Sequence, residues 1–202
     1  MKFKAIIIAG IIVLITVIGG CNAVENLTNS AARLIIDLIT GTDLEGNDGS
    51  TTVFSDVVTS TGTIYNDTAV ADLRAELINP AAEESSYYTD IIVDQVDVEY
   101  SRTDMTNPVQ GKDVPYSFTQ KVNAVVQVET PAALSFVIVQ HNAKTESPLV
   151  ELTSPWNQEH VLKMEAKCTF HAKDLAGNRL APAVGTISIW FANFADSESS
   201  GG

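Results

Sequence analysis

Leu162 to Lys173 reads LKMEAKCTFHAK, and this stretch decides the fold. Leu162, Met164, Ala166, Cys168, Phe170 and Ala172 share one parity, whereas Lys163, Glu165, Lys167, Thr169, His171 and Lys173 share the other. A period of two puts the first set on one side of an extended chain and the second on the opposite side; a helix would scatter both around its circumference. The segment therefore reads as a strand with one buried face. Asp174-Leu175-Ala176-Gly177-Asn178 follows with turn chemistry, since Gly177 and Asn178 tolerate positive φ.

The same signal recurs in both directions along the chain. Ile187, Ile189 and Phe191 alternate on the C-terminal side. Towards the N-terminus, Leu134, Phe136 and Ile138 alternate, as do Val122, Ala124, Val126 and Val128, then Val96, Val98 and Tyr100, then Ala69 to Leu77. Thr52–Thr59 and Leu34–Thr40 are rich in β-branched residues. Val24, Leu27, Ala31, Leu34, Ile35 and Leu38 have helical spacing, but the β-leaning Leu34-Ile35-Ile36 and Ile39-Thr40 place a first strand from about Ala32. Seven to eight strands without a long helix between them predict an antiparallel β-sandwich over residues 32–195. The tail, residues 196–202, is polar and expected to fray.

Met1 to Cys21 has a different character. Lys2 and Lys4 precede an aliphatic run from Ala5 to Ile18, about 21 Å long as a helix at 1.5 Å per residue and short of a roughly 30 Å hydrocarbon core. Residues 1–20 fit a secretory signal better than a permanent span. Ile18-Gly19-Gly20-Cys21 resembles the lipobox of bacterial lipoproteins, with Ile18 where Leu is commonest. That resemblance implies signal-peptidase recognition through Ile18, Gly19 and Gly20. It also implies lipidation of Cys21 as the first mature residue, with residues 21–31 as tether. Asn22 follows instead of Asp, which by the sorting rule of enteric bacteria resembles an outer-membrane lipoprotein. The expected address is the bacterial cell envelope.

The 202-residue chain carries 12 Lys and Arg against 25 Asp and Glu, a net charge of −13. Residues 1–20 hold Lys2 and Lys4 and no acid, so 10 basic and 25 acidic side chains remain beyond them, a net of −15. Such a chain repels a phosphate backbone, which argues against nucleic acid as a partner, and it will not lie flat on anionic lipid. Membrane attachment is expected through the lipid anchor alone.

Tyr100-Ser101-Arg102-Thr103-Asp104, Asp113-Val114-Pro115-Tyr116-Ser117-Phe118, Ala143-Lys144-Thr145-Glu146-Ser147-Pro148-Leu149 and Thr169 to Asn178 resemble a group of uncharacterised bacterial lipoproteins with an immunoglobulin-like sandwich. The resemblance runs over the whole mature chain and implies a fold and an address, but no mechanism.

Chemistry-bearing motifs are few. Cys168 would be the one thiol left beside a lipidated Cys21; its parity buries it and points His171 the other way, so it reads as a core residue rather than a nucleophile. His141, His160 and His171 lack metal-ligand spacing. Asp43 to Gly49 faintly resembles a calcium loop, but Asp48 stands where the glycine belongs and Phe54 where the final Glu belongs, so it reads as a polar turn. Asp90, Asp94, Asp97 and Glu99 read as a solvated acidic face. Trp190 and Trp156 are the leading ligand contacts for a sugar, with Tyr65, Tyr87, Tyr88 and Tyr116 behind them. The expectation is a non-catalytic envelope protein, without cofactor or metal, serving a structural or protein-interaction role. The alternatives are a surface carbohydrate-binding module and, third, an envelope enzyme.

Overall fold

The computed structural model describes residues 30–43, 47–81, 85–154 and 160–194. The signal segment, Cys21, Trp156 and the polar tail lie outside the described residues. Among the described residues there are nine strands: β1 (Ala32–Thr42), β2 (Asp48–Ser50), β3 (Thr52–Asp56), β4 (Asp67–Leu77), β5 (Ile91–Ser101), β6 (Phe118–Val126), β7 (Ala132–Val139), β8 (Leu162–Asp174) and β9 (Ala183–Ala192). Among the described residues the helical content is limited to short 3₁₀ segments at Tyr87–Thr89, His141–Thr145 and Leu149–Thr153.

The strands form two sheets, ordered β2-β1-β4-β7 and β3-β9-β8-β5-β6. Two features depart from an antiparallel sandwich of seven to eight strands. The additional strand is β2, whose three residues are too few to display a period. The pairing of β3 with β9 is parallel, whereas every other strand pair among the described residues is antiparallel.

Strand β8 lies inside the larger sheet, between β9 and β5. Leu162, Met164, Ala166, Cys168, Phe170 and Ala172 are all buried there, as their parity requires. They meet Ala69, Ala71, Leu73 and Ala75 of β4 and Leu134, Phe136 and Ile138 of β7 in one apolar cluster. Phe170 stands edge-on to Phe136 across the two sheets, with ring centroids 5.4 Å apart. Gly185 of β9 makes room for β1: a Cβ there would fall 2.7 Å from Ile39 Cδ1.

Two bulges explain why β1 and β5 read less cleanly than β8. In β1, Ile36 pairs with Leu73 and Leu38 with Asp72, so Asp37 is the extra residue and the buried parity moves from Ala32 and Leu34 to Ile39. In β5, Val93 pairs with Ala172 and Gln95 with His171, which leaves out Asp94 and moves the buried set from Ile91 and Val93 to Val96, Val98 and Tyr100. A bulge inserts one residue and so reverses which side chains face inward. Arg74 holds the first bulge, its Nε donating to Asp37 Oδ1 at 2.7 Å.

Strands β6 and β7 lie at the edges of different sheets and are joined by a side chain. Gln120 Nε2 donates to the Val137 carbonyl at 2.7 Å, and Val137 N donates to Gln120 Oε1 at 3.0 Å. The amide thus substitutes for one rung of a backbone ladder. Nearby, the Tyr100 hydroxyl donates to the Ile138 carbonyl at 2.7 Å, again from one sheet to the other.

Phe170→Ala removes the largest aromatic of the central strand from a fully buried position. It should lower unfolding free energy by about 3–5 kcal/mol, measured by urea titration followed by tryptophan fluorescence.

Candidate functional site

The polar parity of β8 builds the outer face of the five-stranded sheet. Register sets Asp97 beside Thr169 and Thr119, Glu99 beside Lys167, and Gln95 beside His171 and Lys121. His171 Nε2 lies 2.7 Å from Asp97 Oδ2, while Thr119 Oγ1 and Gln95 Nε2 donate to Asp97 Oδ1 at 2.7 and 2.8 Å. Lys121 Nζ donates to Gln95 Oε1 at 2.6 Å, and Lys167 pairs with Glu99 at 2.9 Å. The acids of β5 are therefore not a merely solvated row; Asp97 and Glu99 are tied into cross-strand contacts. Burial alone would raise the Asp97 pKa, but the hydrogen bonds from Thr119, Gln95 and His171 and the imidazole charge together hold it below the usual carboxylate value of 3.8.

This pair does not extend into a nucleophilic constellation with the thiol. Cys168 is fully buried on the opposite face, and desolvation pushes its pKa up to about 12, so the thiolate is suppressed at neutral pH. His141 is elsewhere, its Nδ1 3.1 Å from Asn66 Oδ1, and His160 is exposed ahead of β8. Among the described residues no group of three or more His, Cys, Asp or Glu is placed to hold a metal ion. Asp43 closes its own turn, Oδ1 accepting from Asn47 N at 2.7 Å and Oδ2 from Asn47 Nδ2 at 3.1 Å.

Trp190 does face outward, at the β9 position opposite Lys163 and beside Phe54. Its ring is already covered: Lys163 Nζ lies 3.8 Å from the ring centroid, and Phe54 meets it edge-on at 5.4 Å and in turn meets Phe194 at 6.0 Å. A cation over the indole face competes with any sugar for that surface. Trp156 lies outside the described residues.

The better platform is Tyr116, which is 59% exposed and rests against Gly111. Gly111, at φ +75°, lies so close to the hydroxyl end of the ring that a Cβ would fall 2.3 Å from the tyrosine oxygen. Only glycine combines that backbone angle with that approach. From this ring a groove of about 400 Å³ continues along the β6–β7 seam, lined by Asn66, Phe118, Gln120, Gln140, His141 and Asn142, with Tyr116, Glu146 and Ser147 at an adjoining hollow. Amide donors and acceptors beside aromatic rings suit neutral, hydroxyl-rich ligands. In the sequence Tyr116 is one of several candidate tyrosines; its distinction lies in Gly111, a contact that spacing does not reveal.

The arrangement missed entirely is a buried ion pair at one end of the sandwich. Lys144 is 1% exposed, and its Nζ donates to Asp67 Oδ1 at 2.9 Å and to the Asp56 carbonyl at 2.7 Å. It thus bridges the end of β3 in one sheet to the start of β4 in the other. Desolvation raises the Asp67 pKa, while the Lys144 charge and the Ser55 hydroxyl beside it pull the other way without cancelling it. Burial likewise drives the Tyr100 phenol upward, with Cys168 and Asp67 adding to it. A lysine in Ala143-Lys144-Thr145-Glu146 has the local composition of a surface loop, so no sequence signal marks it.

Among the described residues no helix is long and apolar enough to cross a membrane. Comparison of the sequence with protein-family models and with curated proteins finds no match.

Because the folded-state pKa of Asp97 is depressed, its stabilising contribution is present above 3.8 and disappears as pH falls through the folded value. Asp97→Asn should therefore cost roughly 1 kcal/mol near neutrality and converge with wild type in acid, as read from urea midpoints across a pH series.

Proposed function

We propose that this protein is a lipid-anchored, non-catalytic component of the bacterial cell envelope, an immunoglobulin-like sandwich with a structural or protein-interaction role. The carrying observation is Ile18-Gly19-Gly20-Cys21 at the end of an aliphatic run, set a few residues ahead of a two-sheet body whose first strand begins at Ala32. The chain between Cys21 and Ala32 spans at most roughly 40 Å when extended, so the domain would stand close to the surface that holds it. Several acyl chains on one cysteine give stable anchorage, and the −15 balance keeps the domain off anionic headgroups. The outer membrane of a two-membrane bacterium is the proposed address, from Asn22.

The non-catalytic part rests on chemistry. The thiol of Cys168 is sealed in the core, and the His171–Asp97 pair sits on a sheet face among cross-strand partners. A rigid frame displaying loops and edges suits recognition of another envelope component.

A second reading, neutral-glycan binding, is favoured by one observation, the Tyr116 platform on Gly111 beside the amide-lined groove. The leading sequence candidate for that role, Trp190, has its ring face occupied by Lys163.

Cys21→Ser should abolish incorporation of an alkyne fatty acid and move the protein from the detergent-soluble membrane fraction to the soluble envelope fraction; unchanged membrane fractionation as a cleaved protein would refute the anchor. For the second reading, a glycan array should show neutral oligosaccharide signals that fall at least tenfold with Tyr116→Ala and not with Trp190→Ala. A blank array would refute the glycan reading.

A further inference from the structure

We propose that Lys144 and Asp67 condense within the folded protein into a side-chain amide, an isopeptide cross-link between the 3₁₀ turn after β7 and the first residue of β4. The reasoning starts with hydrogen-bond accounting. As an ion pair, the ammonium has three protons but, among the described residues, two acceptors, Asp67 Oδ1 and the Asp56 carbonyl. The Asp67 Oδ2 and Ser55 Oγ atoms are both sealed from solvent, and neither completes a well-aligned hydrogen bond. Buried charges with unmet partners are costly, and the cost falls on the charged form.

An amide removes the mismatch. It has one N–H, where the Asp56 carbonyl already accepts from Lys144 Nζ at 2.7 Å. It has one carbonyl oxygen, beside which the Ser55 hydroxyl stands as donor. Two charges vanish from a site that is 1% exposed at the lysine and 19% at the aspartate side chain.

The reaction needs no oxidant and no cofactor. A proton passes from Nζ to Asp67 along their 2.9 Å hydrogen bond, leaving a neutral amine and a neutral carboxylic acid. Burial favours that neutral pair, and the upward displacement of the Asp67 pKa is in the same direction. The Nζ lone pair then adds to Cγ, forming the N–C bond. The C–O bond to one carboxyl oxygen breaks, and that oxygen leaves with two protons, one from the acid and one from the amine, as a water molecule. The Ser55 hydroxyl is the group placed to pass protons to the leaving oxygen. Fixing amine and carboxyl in contact converts a bimolecular step into a unimolecular one, with an advantage of several kcal/mol.

The placement also makes mechanical sense. Lys144 and Asp67 close the end of the sandwich where β4 begins, whereas the chain enters at Ser30 beside Leu77, where β4 finishes. A covalent clamp there would fasten both sheets at the end remote from the N-terminal attachment. It restricts the unfolded chain as a disulfide does, without a second cysteine.

The test is peptide mapping of the full chain, purified in detergent and digested with trypsin, so that lipid on Cys21 does not disturb the measurement. The expected result is a branched peptide that joins the Asp67 and Lys144 segments, lighter by one water than the sum of its arms, with no cleavage after Lys144. Lys144→Arg keeps the positive charge but cannot condense; it should give two separate peptides and a lower thermal midpoint. Separate peptides of full mass from folded wild-type protein, or a water loss located elsewhere, would overturn the proposal. Circular dichroism on the same samples establishes that the wild-type chain was folded.

Discussion

A single layer of side chains from each sheet fills the space between the two sheets, and the whole molecule is organised by that limit. Strand β8 feels it most, being flanked on both sides by strands and facing the opposite sheet along its length. Its inward residues run from Leu162 to Ala172 without a polar interruption, and the facing strand β4 answers with alanines at 69, 71 and 75 and one large residue, Leu73. Small residues opposite large ones let the layers interdigitate at normal interior density. Gly185 carries the same rule to its extreme, since even a methyl group there would collide with Ile39.

Where apolar packing ends, polar contacts take over, and they lie at the seams and ends of the sandwich. At the β6–β7 seam Gln120 imitates a strand and Tyr100 reaches across to Ile138. At one end Lys144 joins the two sheets through Asp56 and Asp67. At the other, Asp90 Oδ1 accepts from Val128 N at 3.1 Å, and Asp174 caps its turn through Asn178 N at 2.8 Å. Buried backbone groups at strand ends have no ladder to satisfy them, so side chains must do so. This is why buried acids and a buried lysine occur in a small all-β protein.

The same construction bears on which surfaces remain open to partners. A frame whose core and seams are committed to internal contacts leaves its exposed rings, loops and outer sheet face for partners. Within that surface, the Trp190 ring lies against Lys163, and Asp97 and Glu99 of β5 are bound to their neighbours, whereas Tyr116 rests against Gly111 and is still open. Recognition surfaces gain from such seating because little conformational freedom is left to lose on binding.

The two-sheet, all-β architecture, the inward row of β8 and the burial of Cys168 were legible in the residues, because alternation is a local property that one face in water and one in oil imposes directly. The parallel pairing of β3 with β9 was not, because which strands become neighbours depends on the path of the chain between them. The bulges at Asp37 and Asp94 erased the period over two strands, since each reverses the inward parity partway along. Tyr116 on Gly111 and Lys144 on Asp67 were decided by tertiary structure alone. Neither residue differs in local composition from an ordinary surface side chain, and only the approach of segments distant in sequence excludes water from one and seats the other.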